Sequence, residues 1–307
     1  PLHRIAVVDE LTLRGDGWNS ILQDDVTGSI LVITNSTNIT IKDIAFRGHT
    51  TNGAMAEQSA AIWALGKCDG ITVDNILIQD MPNQAFVAYK PPGSTTTFFS
   101  NFKVLNSTFI NIGSSNGLVT IPTGDGTAIT CFADDQTTII GNTFRNNFRD
   151  IEAYEGVNNN VLIANNNFQN CSEVNILINN TNNENWVISG NTFRQTGSNL
   201  TAVSRICISI GQAKNISISG NTFHGVPIMT CIDGAASGNS IDNLSIIGNS
   251  IYGFGAPISI IKSSAAATNI FGKCHNIGIN IIGNTIVSNN AQAIYVSGND
   301  INISGNM

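Results

Sequence analysis

Asn185-Trp186-Val187-Ile188-Ser189-Gly190-Asn191-Thr192-Phe193 and Asn215-Ile216-Ser217-Ile218-Ser219-Gly220-Asn221-Thr222-Phe223 are nearly the same nonapeptide. The pattern returns at Leu244 to Ile251, Ile279 to Ile286, Val161 to Phe168 and Ile139 to Phe144. Weaker copies run Leu11 to Trp18, Ile39 to Phe46, Ile71 to Ile78 and Phe102 to Phe109. Apolar residues alternate within each copy and are mostly β-branched, which is a strand period and not a helical one. The last apolar residue of each copy forms a column: Trp18, Phe46, Ile78, Phe109, Phe144, Phe168, Phe193, Phe223, Ile251 and Ile286. Spacings in that column of 24–35 residues are those of a solenoid.

Each unit reads as a strand, a Gly-Asn turn, a short strand, a loop and a third strand. That predicts an all-β fold, a right-handed parallel β-helix of about ten coils. Inward residues then stack on their equivalents about 4.8 Å away in the next coil. Asn142, Asn166, Asn191, Asn221, Asn249 and Asn284 form a second column beside the turn, where side-chain amides can hydrogen-bond along the axis. The Leu-x-x-Leu-x-Leu signature of leucine-rich repeats and the strict six-residue period of left-handed helices are both missing.

Composition agrees. Charged residues are 11% of the 307, and there are 42 asparagines, 29 glycines and 7 prolines. Disordered chains are rich in charge and proline, whereas asparagine and glycine tolerate the left-handed angles of tight turns. A net charge of −7 argues against a nucleic-acid partner, which needs a basic face. No run of about 18 apolar residues predicts membrane insertion. The six cysteines contain no CxxC pair, so no zinc site is expected; they read as small buried residues, which predicts few or no disulfides, and no metal or cofactor is expected. Asn-x-Ser/Thr triplets abound because the repeat is itself Asn-Ile-Ser/Thr; glycans at so many regular positions would crowd a stack. The expectation is one β-helix domain over 1–307, cut from a longer chain, because both ends fall inside the pattern.

The coils resemble the pectin-lyase-like right-handed β-helix superfamily. The likeness is carried by Leu11-Thr12-Leu13-Arg14-Gly15-Asp16-Gly17, by Ile39-Thr40-Ile41-Lys42-Asp43-Ile44-Ala45-Phe46-Arg47-Gly48 and by the Gly-Asn-Thr-Phe repeats. That superfamily holds pectate lyases, polygalacturonases, alginate epimerases and bacteriophage tailspike depolymerases. The Asp-Pro-His-Asp of the epimerases, the acidic set of the polygalacturonases and the pectate lyase calcium site have no match here. What remains resembles a tailspike most. The resemblance implies a homotrimer, carried on a virion or extracellular, that cleaves bacterial capsule or O-antigen. A secreted bacterial lyase or hydrolase and a non-catalytic glycan-binding β-helix stay open.

Carboxylates are rare, so Arg149-Asp150-Ile151-Glu152-Ala153-Tyr154-Glu155 stands out. With Ile151 inward, in one column with Val174, Ile206, Ile228, Ile258 and Ile294, strand alternation sends Asp150 and Glu152 outward. Asp150 then lies beside Glu173 of the next coil and near Arg205 of the one after, and Glu152 lies between Asn175 and Thr130. Acids on adjacent rungs sit about 5 Å apart, the spacing of a retaining glycosidase. Like charges that close hold a proton on one of them to higher pH. Glu152, Asp150 and Glu173 are the catalytic candidates. Arg149, Tyr154, Arg205, Trp63 and Asp125 are candidates for binding substrate. The plain alternative is a solvated acidic face paired with Arg149 and Arg205, and an Asp-Gly turn at Asp125. Tyr154 with either arginine would suit a lyase. Trp63, Tyr89, Phe132 and Tyr154 are placed on the same outward face, where aromatic rings stack on sugars. The four histidines make no cluster.

Overall fold

The computed structural model describes residues 5–7, 9–23, 29–48, 60–89, 99–113, 126–131, 134–153, 158–178, 183–195, 206–225, 230–234, 241–254, 256–260, 277–288, 293–296 and 298–307. They form a right-handed parallel β-helix with no helical segment among them. Strands visit three sheets in turn, of eleven, thirteen and ten strands, and every pairing is parallel to the equivalent strand one coil away.

The second and third sheets are joined by a two-residue turn, as between Asn183–Ser189 and Thr192–Arg194. Its first residue is left-handed in every coil from Asp43 onward, whether it is Asp43, Asn75, Asn106 or Gly190 (φ 65°). Glycine has a second reason to be at 190: a Cβ there would lie 2.5 Å from Asn165 Oδ1. The connections into and out of the first sheet vary in length instead, which is why the column spacings vary.

Inside the coil the expected columns form. Phe109, Phe144, Phe168, Phe193 and Phe223 are fully buried and stacked, with ring centroids 5.1, 4.9, 4.6 and 4.5 Å apart in succession. The column starts differently from the sequence reading. Leu22 pairs with Phe46, while Trp18 is 41% exposed and donates its indole N–H to Asn75 O at 3.0 Å. The chain has four more residues before its third-sheet strand there, so the apolar residue nearest the turn is not the one that enters the core.

The asparagine column is a continuous buried ladder. Each Oδ1 accepts from the backbone N–H and the Nδ2 of the asparagine one coil earlier, at 2.9–3.0 Å. Each Nδ2 also donates to a backbone carbonyl, as Asn191 does to Ile163 O. The ladder opens at Ser107 N–H and ends on Asn306. With both ends of every amide occupied, the cost of burying it is offset.

Candidate functional site

The first sheet holds the acidic cluster, on Thr127–Cys131, Arg149–Ala153 and Val174–Ile178. Its register corrects the sequence reading by two residues. Ile151 pairs with Ile129 and Ile176, then Ile208, Ile232, Ile258 and Ile294 follow. Ile258 and Ile294 belong to that column; Val174 and Ile206 lie opposite Arg149 instead, and Ile228 falls outside the described residues. The Phe148 carbonyl accepts from Glu173 N–H, so Glu173 stacks on Phe148 and not on Asp150. Glu152 pairs with Thr130, as expected, and with Leu177 instead of Asn175.

A second correction concerns direction. Asp150 is 0% exposed and is not on the outer face. The chain bends as it enters this sheet, and two successive residues face the interior: Ala61 with Ile62, Ala85 with Phe86, Ala128 with Ile129 and Cys207 with Ile208 are all core pairs. Asp150 with Ile151 and Asn175 with Ile176 occupy the same two positions, between the printed pairs on either side. Strict alternation holds along a straight strand and fails at this corner. A column of alanine and cysteine thus carries one carboxyl and one amide.

That carboxyl is enclosed by polar side chains. Asn147 Nδ2 donates to Asp150 Oδ1 at 2.8 Å, and Asn175 Nδ2 to Oδ2 at 2.6 Å. Gln195 Nε2 donates to Asn175 Oδ1 at 2.8 Å. Burial pushes the Asp150 pKa up to about 7, against the pull of hydrogen bonds from Asn175, Asn147 and Cys171. The sequence reading expected a raised acid through like-charge repulsion; here the cause is loss of water. Burial likewise raises the Cys171 thiol, and the Asp150 charge adds to it.

On the outer side of the same strand, Arg149 bridges two carboxylates. Its Nη1 donates to both Glu152 oxygens at 3.1 Å, and its Nε donates to Glu173 one coil on. Thr127 Oγ1 donates to Glu152 Oε2 at 3.0 Å from the coil before, and the guanidinium lies over the Phe148 ring at 5.5 Å. Burial works against the Arg149 charge, but Glu173 and Glu152 outweigh it and its pKa is raised. Glu152 is buried; Glu173 keeps a quarter of its side chain in solvent. The structure therefore brings Arg149, Glu152 and Glu173 together across two rungs and places Asp150 behind them.

The remaining candidates separate. Trp63 points away from the core column but is only 7% exposed, packed with Ala60, Val87 and Leu65, so it offers no open ring. Tyr154, Arg205, Asp125 and Phe132 lie outside the described residues, and so does the Tyr89 side chain. His224 is exposed on a third-sheet strand between Arg194 and Tyr252, and His3, His49 and His275 are outside the described residues. Cys68, Cys131, Cys171 and Cys207 are buried. Asn147, Gln195, Cys171 and Thr127 were missed. Their signal was available in the aligned corner column, where Ala61, Ala85 and Ala128 give way to Asp150. A second polar groove, about 370 Å³, lies on the second sheet between Asn38, Asp69, Asn101 and Lys103. No group of His, Cys, Asp and Glu able to hold a metal occurs among the described residues, and no helix there is long and apolar enough to cross a membrane.

No family model matches the sequence, and no curated protein does. Solved structures do match. The likeness is one of fold. An alginate lyase from a Paenibacillus species is 14% identical over 90% of this chain and 92% of that one, with a TM-score of 0.54. The surface adhesin PfbA of Streptococcus pneumoniae is 12% identical over 99% of this chain and 83% of its own, at 0.56. The tailspike protein of the E. coli bacteriophage HK620 is 13% identical over 94% of this chain and 60% of that one. Its TM-score is 0.45.

Proposed function

We propose that this chain binds and cleaves a polysaccharide on the outer face of the first sheet, at Arg149, Glu152 and Glu173. The observation that carries the reading is the arginine clamp itself: two carboxylates on adjacent rungs, held by one guanidinium, in a chain with few charges. Acceptor and donor groups fixed side by side suit the vicinal hydroxyls of a sugar. A β-helix flank is long and shallow, which suits a polymer better than a small molecule. The solved structures of the same fold include an alginate lyase, which supports an enzyme, and a surface adhesin, which supports the non-catalytic alternative. Fold does not decide between them.

The clamp bears on the chemistry. Arg149 is paired with both glutamates, and Glu173 is the more accessible of the two. A hydrolase needs in addition a protonated acid in contact with the sugar. Asp150 is closed off from substrate, so that acid comes from one glutamate once substrate displaces Arg149, or from Asp125 or Tyr154. A lyase would use Tyr154 or Glu173 as base and an arginine to offset the uronate charge. The finer reading is a homotrimeric tailspike-type depolymerase of bacterial capsule or O-antigen, on a virion or extracellular. It rests on the sequence resemblance alone.

The test is Glu152→Gln and Glu173→Gln on a panel of capsular and O-antigen polysaccharides, following reducing ends and unsaturated uronates together. Loss of a catalytic carboxyl lowers the rate about 10²–10⁴-fold. Both variants keeping full activity would place the chemistry elsewhere. A wild type that binds a polymer and releases no ends of either kind would favour the adhesin-like reading.

A further inference from the structure

Behind the clamp, one line of side chains crosses three coils inside the helix. Asp150 Oδ2 accepts from Asn175 Nδ2, and Asn175 Oδ1 accepts from Gln195 Nε2. All three residues are buried. The line ends on a loose thread, because Gln195 Oε1 is buried with no hydrogen-bond partner among the described residues. The asparagine ladder at the other corner has no such orphan at its amides. The contrast lies in the direction of donation. A carboxylate is acceptor-only, so with Asp150 ionised every amide in the line must donate toward it, and the far acceptor is left over.

A primary amide turned by half a rotation exchanges its donor and acceptor ends in the same space. A neutral Asp150 has an O–H to give. Asn175 then accepts that proton's hydrogen bond at Oδ1 and, turned, donates Nδ2 to Gln195 Oε1; Gln195 turns as well, so its amide N–H replaces the oxygen at the unpartnered end of the line. Asn147 Nδ2 continues to donate to the other Asp150 oxygen, and Cys171 remains a thiol. Each direction is internally consistent, and mixtures place two donors or two acceptors face to face. The line therefore has two states and no stable intermediate.

We propose that Asp150, Asn175 and Gln195 form a buried hydrogen-bond relay whose direction is set by one proton on Asp150. The proton comes from water and forms the Asp150 Oδ2–H bond; no other covalent bond changes. The charged and titratable groups around the carboxyl are Arg149 and Glu152 on its own strand, Cys171 and Glu173 from the next coil, and Cys207 from the coil after. Arg149 is occupied by the two glutamates, so no free cation among the described residues holds Asp150 ionised. The ordinary range of such a relay is near neutrality, since burial raises the carboxyl to about 7. The relay is independent of what the outer face binds.

The experiment uses the intact chain with carbon-13 in Asp carboxyls and nitrogen-15 in Asn and Gln side-chain amides, followed by NMR from about pH 5 to about pH 9. Signals are assigned with single-site variants. The expected result is that the Asp150 carboxyl titrates near pH 7 and that the Asn175 and Gln195 amide signals move with the same midpoint. In Asp150→Asn, which carries one donor and one acceptor at all pH values, both amide signals should stay fixed. An Asp150 that titrates while the two amides stay still would overturn the relay and leave only a local charge. A carboxyl that titrates in the usual acidic range would overturn it too. Both readings come from the wild-type protein, so they stand even if the variant folds poorly.

Discussion

Two corners of this helix bury polar side chains, and they do so by opposite means. Between the second and third sheets, Asn142 to Asn306 repeat one neutral group, and each supplies what its neighbour needs. Between the third and first sheets, Asp150 is a single carboxyl, in a column that holds one amide, Asn175, and is otherwise alanine and cysteine at Ala61, Ala85, Ala128 and Cys207. Repetition lets every amide find a partner without changing the net charge of the interior. A lone acid has no equivalent above or below it, so its burial makes stability depend on pH.

Breaking the ladder should produce the largest loss. Asn191→Ala removes the acceptor of two Asn166 donors and the donor to Ile163 O and Asn221 Oδ1. Asn166 Nδ2 keeps Ile139 O and Asn221 Oδ1 keeps the residue-191 N–H, so at roughly 1–3 kcal/mol for each of the other two groups the cost is about 2–6 kcal/mol. Urea melts of the variant should show it, and a loss below about 1 kcal/mol would mean that water repairs the gap.

The other corner should respond with the opposite sign. The folded Asp150 pKa lies above its unfolded value, so the native state favours the neutral form. Stability tied to this group is fully present below about pH 4 and is lost as pH rises from there to about 7, then levels off. Asp150→Asn removes the dependence. It should match wild type in acid and exceed it above pH 7, by up to about 4 kcal/mol for a shift of about three pKa units. Melting temperatures of the two proteins across that range test the sign; a variant less stable than wild type at alkaline pH would show that the charged carboxylate is well solvated.

The smallest effect sharpens the comparison from outside. Asn160, Asn185, Asn215 and Asn243 form a second ladder with the same amide-to-amide pattern, Asn215 Nδ2 to Asn185 Oδ1 at 3.0 Å, but exposed to water. Asn215→Ala loses only bonds that water replaces, together with a residue suited to φ 58°. It should cost well under the Asn191 value, about 1 kcal/mol or less. Equal losses at 191 and 215 would mean that burial is not what gives the inner ladder its weight.

The sequence by itself determined the fold, the phenylalanine column and the inner asparagine column. Both columns recur from coil to coil, and in a solenoid each coil meets only its neighbours, so a period in the chain is a period in space. It also singled out Arg149, Asp150, Glu152 and Glu173 as a rare concentration of charge. Tertiary structure alone decided which way they face. Alternation from Ile151 sends Asp150 outward on paper, but the bend into the first sheet turns residues 150 and 151 inward together, as it does at Ala128 and Ile129. The register of Glu173 was hidden for a related reason. The connections between the third and first sheets differ in length from coil to coil, so the register across them is set by backbone bonds such as Glu173 N–H to Phe148 O, which no side-chain pattern records.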